Sequence, residues 1–492
     1  MENLYGNPSF SLLLFLSLHL LVVSSLYQRF SPVDNYLINC GSSDEVSVDG
    51  NNRKFMGDSV KSDSVLMCGT RTISIRDSNP DLGLSPIYHT ARVFTKPSKY
   101  EFEIRDKGTH AVRIHFHQLN SAKYDVSDAL FHVSVNGFLV LSNFTGYDNE
   151  NARIKEYLIW VDAEKLVIGF IPSKRSKFAF VNAIEVISAP KDLIADTAQF
   201  VNGDSVENFD GLTKQALEVV YRVNVGGPKV TPFNDSLWRT WVPDEEFLKF
   251  SEGSSRVYTS GRIRYQMGGA SREVCPDNVY NSARVISSSN ATVPNHNITW
   301  GFDVVEGYKY LVRMHFCDIA SIAIGLIYFN VHVDGHLVYK DMDLSYITNE
   351  VLSSPFYADF VVDGDSSGVL TVSVGPSSKS FPYAVDGILN GVEIMKLNNS
   401  MGSLDGEVSV EQVLKNWPRG NIGVSVALFA SVCLLLTASL LMHRRRVGVK
   451  DSVAWSPLPM DISKGNLKSN NQFSCGKCCI FLFKYIVLCW LY

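Results

Sequence analysis

Apolar and polar positions alternate with period two through most of the chain between residues 30 and 400. Val112, Ile114 and Phe116 share one face of a segment whose other face carries Arg113, His115 and His117. Phe131, Val133 and Val135 alternate likewise and run into Asn136-Gly137. Such alternation marks a half-buried strand. Asn136-Gly137, and Asp334-Gly335 further on, are strong two-residue hairpin signals, because both central positions accept a positive φ. The pattern predicts short strands with tight turns, hence an antiparallel β-sandwich.

Three segments break the alternation. Phe10 to Val23 is a mostly apolar run of 14 residues. It is too short to span a bilayer and has the length of a signal-peptide core, although its n-region carries Glu2 and no Lys or Arg. Val23 and Ser25 suit the small-residue positions of cleavage after Ser25. Ile422 to Met442 holds 21 residues without a charge, enough to cross a hydrocarbon core of roughly 30 Å. Arg444, Arg445 and Arg446 follow it, so the positive-inside rule places the body outside the cell and the tail in the cytosol. Cys478 to Tyr492 is a short apolar run containing Lys484, short for a span and read as the non-native end of a truncated reading frame, with an interfacial segment acylated at Cys475, Cys478 and Cys479 as the alternative.

Within the body, five blocks recur in the same order. Asn39-Cys-Gly, Arg53-Lys-Phe and Asp58 return as Asn224-Val-Gly-Gly, Arg239-Thr-Trp and Asp244. Tyr88-His-Thr-Ala-Arg-Val returns as Tyr280-Asn-Ser-Ala-Arg-Val, and Val112-Arg-Ile-His-Phe as Val312-Arg-Met-His-Phe. Phe131-His-Val-Ser-Val-Asn-Gly matches Phe329-Asn-Val-His-Val-Asp-Gly, and Asn182-Ala-Ile-Glu-Val matches Asn390-Gly-Val-Glu-Ile. Ordered self-similarity is the signature of a duplicated unit. The layout expected is a signal peptide (1–25), domain 1 (30–188), a polar linker (189–219), domain 2 (220–397), a juxtamembrane stalk (398–421), one transmembrane helix (422–442) and a short cytoplasmic tail (443–492).

Composition sharpens this. Hydrophobic residues at 46% supply two large cores and exclude wholesale disorder. Residues 26–443 hold 37 Lys+Arg against 47 Asp+Glu, a net of −10, while residues 444–492 are net +6. An acidic body gives no nucleic-acid footprint, and the change of sign fits a membrane between the two parts. Cys40, Cys68, Cys275 and Cys317 lie in the body. Four cysteines allow three connectivities; Cys40–Cys68 and Cys275–Cys317 are expected because each pair falls inside one domain. Sequons at Asn143, Asn234, Asn290, Asn297 and Asn398 all precede the expected span, so these are the expected glycosylation sites.

The Asn-x-Gly opening, the R-x-H-F strand and the closing N-[AG]-[IV]-E-[IV] strand resemble malectin-like domains. Tyr221-Arg-Val-Asn-Val-Gly-Gly and Arg239-Thr-Trp carry much of the likeness. Two such domains before one span and an Arg-rich stop resemble the ectodomains of plant malectin-like receptor kinases of the FERONIA/THESEUS type. That resemblance implies a mainly β fold: two tandem malectin-like antiparallel β-sandwiches followed by one transmembrane α-helix. It implies a type I plasma-membrane receptor sensing a secreted basic peptide of the rapid alkalinisation factor class, with a lipid-anchored co-receptor. An acidic ectodomain suits a cationic partner, since complementary charge speeds encounter. About 50 residues follow Met442, and they contain no Gly-rich phosphate loop, V-A-I-K lysine, H-R-D or D-F-G. The chain is therefore read as a non-enzyme that acts through other receptors, such as a full-length receptor kinase.

The resemblance to malectin also raises a carbohydrate reading, with cell-wall polysaccharide as ligand, because aromatic faces suit sugar rings. Tyr88, Tyr124, Trp238, Trp241 and Tyr280 are the candidate aromatics, though most are expected in the core. Arg113, His115 and His117 could form a metal or acid–base cluster, but Arg313 and His315 recur in the second copy beside Cys317, which favours a structural role. Asp363-Gly-Asp365 resembles half of a calcium loop without its closing Glu, and is read as a surface turn. No catalytic residue, cofactor or metal is expected.

Overall fold

The computed structural model describes residues 30–447, apart from 51–52, 60–64, 69–71, 147–151, 175–176, 204, 287–295, 365, 382–383 and 418–421. The expected signal peptide, Asn290 and the tail beyond residue 447 lie outside the described residues.

The strands that organise the body are β1 (Asn35–Asn39), β2 (Arg53–Gly57), β3 (Gly108–Phe116), β4 (Arg153–Val161), β5 (Ala183–Ser188), β6 (Thr197–Asn202), β7 (Ser205–Asp210), β8 (Leu217–Asn224), β9 (Lys309–Cys317), β10 (Pro355–Asp363) and β11 (Gly391–Leu397). They form one 13-stranded sheet in the order β7-β6-β10-β9-β11-β8-β4-β3-β5-β1-β2, closed by Val46–Val48 beyond β2, with Val242–Pro243 beside β8. Five strands of domain 1 and five of domain 2 build two further sheets, each with a three-stranded companion. The two copies use the same strand order, so the duplication in sequence is a duplication of topology.

Each sandwich has its own core. Val112, Ile114, Tyr100, Phe131 and Phe170 pack together in domain 1, and Val312, Met314, Trp300, Phe329 and Val372 in domain 2. The alternation read from the sequence is the cause, because every second side chain of a strand points into the layer between the sheets. The turns also form as their sequences require. Asn136 and Gly137 take φ of 46° and 88°, Asp334 and Gly335 take 52° and 77°, and each turn joins directly paired neighbours.

Three joints tie the domains. First, β4 pairs with β8 through Tyr157–Glu218 and Leu158–Leu217, which makes the two inner sheets one. Second, residues after domain 2 return to domain 1. Leu139 exchanges backbone hydrogen bonds with Gly402 and Leu404 (2.9 and 2.8 Å), and Leu404 is fully buried in the first core. The stretch read as a stalk thus begins as a strap. Third, an apolar cluster of Ala111, Leu158, Leu193, Leu212, Leu237, Leu311 and Met395 fills the junction.

The stretch read as a polar linker is structured. β6 and β7 form a hairpin, and β6 pairs in parallel with β10 through Gln199–Phe360 and Phe200–Val361. β10 is the counterpart of β4. Domain 2 covers the outer edge of β4, and the hairpin covers the equivalent edge of β10. Ala198 is buried, and Phe200 and Phe209 pack beside it on the junction cluster, which holds the hairpin down.

Separately from this unit, α1 (Ile422–Val447) is a 26-residue helix over the expected span. Among the described residues no helix is long and apolar enough to cross a membrane; the side chains of 421–428 lie outside them.

Candidate functional site

The recurring motifs converge on two copies of one buried polar arrangement. In domain 1 the Tyr88 hydroxyl donates to His115 Nδ1 (2.9 Å), and His115 Nε2 faces Glu185 Oε1 (2.9 Å). In domain 2 the Tyr280 hydroxyl donates to His315 Nδ1 (3.2 Å), and His315 Nε2 faces Glu393 Oε1 (3.2 Å). Glu185 and Glu393 are ionised and can only accept, so each Nε2–H donates to its carboxylate, and in the neutral ring Nδ1 is left to accept from the tyrosine hydroxyl. Burial pushes the His315 pKa below its ordinary value even though Glu393 opposes that shift.

Arginines link the copies. Glu185 also accepts from Arg53 and Arg113, both at 2.8 Å. Arg113 continues to Glu156 on β4 (2.9 Å). Glu156 accepts from Arg222 on β8 (2.9 Å), and Arg222 reaches Glu393 (2.8 Å). One relay of alternating charge therefore runs from Arg53 to Tyr280 and crosses the domain junction at Glu156. Burial would raise the Glu156 pKa, but Arg113 and Arg222 override it and hold it down to about 2. Glu185 and Glu393 are likewise held well below the usual carboxylate range against burial, chiefly by Arg113 and Arg222 respectively. Each of these carboxylates is engaged by arginine, so the relay offers cohesion rather than a free acid or base.

The glycines of the Asn-x-Gly openings have a parallel explanation. Gly41 and Gly226 take φ of +81° and +71°, and a Cβ on either would sit 2.2 Å from the carbonyl oxygen of Ala91 or Ala283. Their N–H groups donate to Asp58 (2.9 Å) and Asp244 (3.0 Å). Arg92 and Arg284 grip those aspartates in turn. Asn182 and Asn390 close the motif by accepting from the N–H of His117 and Cys317, both at 2.7 Å.

Of the five candidate aromatics, Tyr88, Trp241 and Tyr280 are buried in this framework, and Tyr124 and Trp238 are half-buried. Trp241 and Tyr280 are fully buried, and Tyr88 nearly so. Trp241 Nε1 donates to Asp235 (3.2 Å) and lies 5.6 Å below the guanidinium of Arg222. Tyr124 packs edge-on to Phe178 with ring centroids 5.1 Å apart. Trp238 reaches from domain 2 to pack on Leu37, Phe55 and Tyr88 of domain 1. It holds a φ of +56°, costly for a bulky side chain, at the segment where Leu237 accepts from Arg113 (2.8 Å). Tyr88, Trp241 and Tyr280 therefore offer no face for a sugar ring and are corrected to packing and relay roles. Of the Arg113, His115 and His117 cluster, Arg113 and His115 belong to the relay. Among the described residues no set of three or more His, Cys, Asp or Glu is placed to hold a metal. Asp363 forms an exposed ion pair with Lys309 (2.6 Å).

The two expected disulfides are not formed: Cys40, Cys68, Cys275 and Cys317 are all free thiols. Cys68 stands opposite Lys99 in its strand pair, on the outward side. Cys40 is buried on the core side, where Tyr100 contacts it. Cys275 and Cys317 share an apolar cluster with Tyr280, unbridged. Asn143 and Asn234 are exposed, and Asn297 and Asn398 are partly buried. The Asn398 amide is engaged at both ends, accepting from Ala216 N–H (2.7 Å) and donating to Asn399 (2.9 Å).

Sequence reasoning missed the open clefts, because their walls come from residues far apart in the chain that only the fold brings together. The larger, about 1750 Å³, lies between the β6–β7 hairpin, the segment 262–278 and the start of β10. Thr197, Gln199 and Asn208 face it from the hairpin, Arg264, Tyr265 and Arg272 from the loop, and Tyr357 from β10. A smaller one, about 550 Å³, sits at the Asn136-Gly137 turn and includes Trp160, Asp162, Lys165 and Gln215. Trp160 is 44% exposed.

Duplicated sandwiches on a shared sheet, with a charge relay across the joint, define a tandem β-sandwich module. Residues 38–397 match the malectin-like domain family, and the chain belongs to it. Its relatives are receptor-like kinases of the FERONIA/THESEUS type. The probable receptor-like protein kinase At5g24010 of Arabidopsis thaliana is 41% identical over 440 residues, covering 88% of this chain and 52% of the relative. The receptor-like protein kinase THESEUS 1 of the same plant is 39% identical, covering 82% of this chain and 46% of the relative. The chain thus spans about half the length of the curated relatives it matches. Among solved structures, the crystal structure of the plant peptide RALF23 in complex with FER and LLG2 contains a chain 30% identical, with a TM-score of 0.65, covering 77% of this chain and 99% of that one.

Proposed function

We propose that this chain is the ligand-recognising part of a plasma-membrane receptor that takes a secreted cationic signalling peptide. The observation that carries this reading is the large cleft beside the acidic β6–β7 hairpin, whose segment 192–210 holds Asp192, Asp196, Glu207 and Asp210 and no Lys or Arg. The similar chain in complex with RALF23 and LLG2 supports a peptide of the rapid alkalinisation factor class and a lipid-anchored co-receptor as the kinds of partner. The chain anchors as a type I protein, cleaved after Ser25 and crossing the membrane at 422–442. Phe429, Leu434, Leu435, Leu440 and Leu441 stand exposed around α1, as a lipid-facing helix requires. Asn143 and Asn234 are the sequons whose exposure suits a glycan.

The test is a titration of the purified chain with a basic secreted peptide of that class, with and without the co-receptor, at low and high salt. Saturable binding that weakens with salt supports the reading; binding that pectin oligomers displace and salt leaves unchanged overturns it. The exposed Trp160 among Asn136, Asp162, Lys165 and Gln215 favours a second reading, a cell-wall carbohydrate-binding protein, because an open aromatic face flanked by polar groups suits a sugar ring.

A further inference from the structure

The free edge of β7 is the most conspicuous unused feature of the body. β7 ends the 13-stranded sheet and, among the described residues, pairs only with β6. It is six residues long, regular in register, and exposed along its length except at half-buried Phe209. The opposite end of the sheet stops in a strand of three residues, Val46–Val48. Edge strands are commonly blunted by charged side chains, Pro, a bulge or shortness; β7 has no Pro and no bulge, and its two charges, Glu207 and Asp210, are both acidic.

Its pairing shows which backbone groups are open. The hairpin places Asn202 opposite Ser205, Phe200 opposite Glu207 and Ala198 opposite Phe209. A two-residue turn makes the first pair hydrogen-bonded, and the ladder then alternates. Val206, Asn208 and Asp210 therefore direct their N–H and C=O groups outward. Residues 192–210 carry Asp192, Asp196, Asp204, Glu207 and Asp210, with no Lys or Arg. Thr197, Gln199 and Asn208 line the large cleft, so a strand laid along β7 would run at its mouth.

We infer that a cationic segment of the peptide partner docks here by adding an extended strand to β7. The backbone of Val206, Asn208 and Asp210 supplies the hydrogen bonds, and Glu207 and Asp210 select Lys or Arg side chains. A second copy of this chain is a poorer occupant, since two β7 edges would bring like charges together. This mode of docking rests on the peptide reading above.

The experiment uses the full chain in detergent micelles and two capped hexapeptides, alternating Lys-Val and alternating Glu-Val, read by fluorescence anisotropy. The secreted cationic peptide is titrated in parallel. Asn208→Pro removes one outward N–H and leaves the β6 bonds intact. The double variant Glu207→Lys with Asp210→Lys reverses the edge charge without touching the backbone. The Lys-Val probe should bind the natural chain, lose about tenfold or more on Asn208→Pro at unchanged melting temperature, and give way to the Glu-Val probe on charge reversal. If the secreted peptide binds the natural chain and both variants alike, edge docking is wrong while the peptide reading stands. If neither cationic peptide binds the natural chain, both are wrong. Dimerisation abolished by Asn208→Pro would assign the edge to a second copy and overturn the proposal.

Discussion

Gly226 shows how one residue can be forced by the surrounding atoms. Its φ of +71° and its contact with the Ala283 carbonyl leave no room for a Cβ. Gly307 takes φ +85° with open space around it. Gly307→Ala should therefore cost about 1 kcal/mol for the left-handed backbone alone. Gly226→Ala should cost several-fold more, since backbone must shift as well; urea midpoints of the two variants decide it. The cysteines give a second residue-scale prediction. Burial pushes the Cys40 and Cys275 thiols well up, and Cys68 is the partly exposed member. Alkylation of the native body should label Cys68 first, and the other three only after denaturation. A mass showing paired, unlabelled cysteines would contradict free thiols.

Between strands, Glu156 is the joint of greatest consequence. It sits on β4 and accepts from Arg113 of its own domain and Arg222 of the other. Glu156→Gln keeps the size and removes the charge, leaving two buried guanidinium groups short of a partner. Breaking one side of a buried ion pair costs about 3–5 kcal/mol. The expected result is that loss of stability, together with separation of a single unfolding transition into two, followed by calorimetry. A single transition at the natural midpoint would mean that Glu156 does not couple the domains. The strands themselves were legible in advance, because period-two alternation and Asn-Gly or Asp-Gly turns are local properties. The β6–β7 hairpin was not. Its residues are polar and turn-rich, and only the bare edge of β10 gives them a reason to pair.

Over the whole molecule, paired buried carboxylates inside and outside the relay make stability depend on acid. Glu156, Glu218 and Asp244 all have their pKa held below the ordinary carboxylate values, against burial, by Arg113 and Arg222, by Lys155 and Lys396, and by Arg284 with Trp300 respectively. A carboxyl that is more acidic folded than unfolded stabilises the fold above its unfolded value. That stabilisation is lost as pH falls towards the folded value. The melting temperature should therefore be level above about pH 5 and fall steeply towards pH 2 to 3; a melting temperature that holds or rises towards acid would refute this role.

The sequence by itself determined the duplicated β units, their turns and the motif residues, because hydrophobic alternation, φ preference and ordered repetition act over short stretches of chain. It also marked the apolar segment that became α1. The tertiary structure alone decided that two sheets fuse through β4 and β8, and that Leu404 straps back onto the first core. It also joined the repeated Tyr–His–Glu sets into one relay at Glu156. Those outcomes depend on which edges and charges meet between segments distant in the chain, such as β4 with β8 and Leu139 with Leu404. For the same reason Tyr88, Trp241 and Tyr280 are buried in the framework, while the open edge of β7 came from a segment that does not repeat.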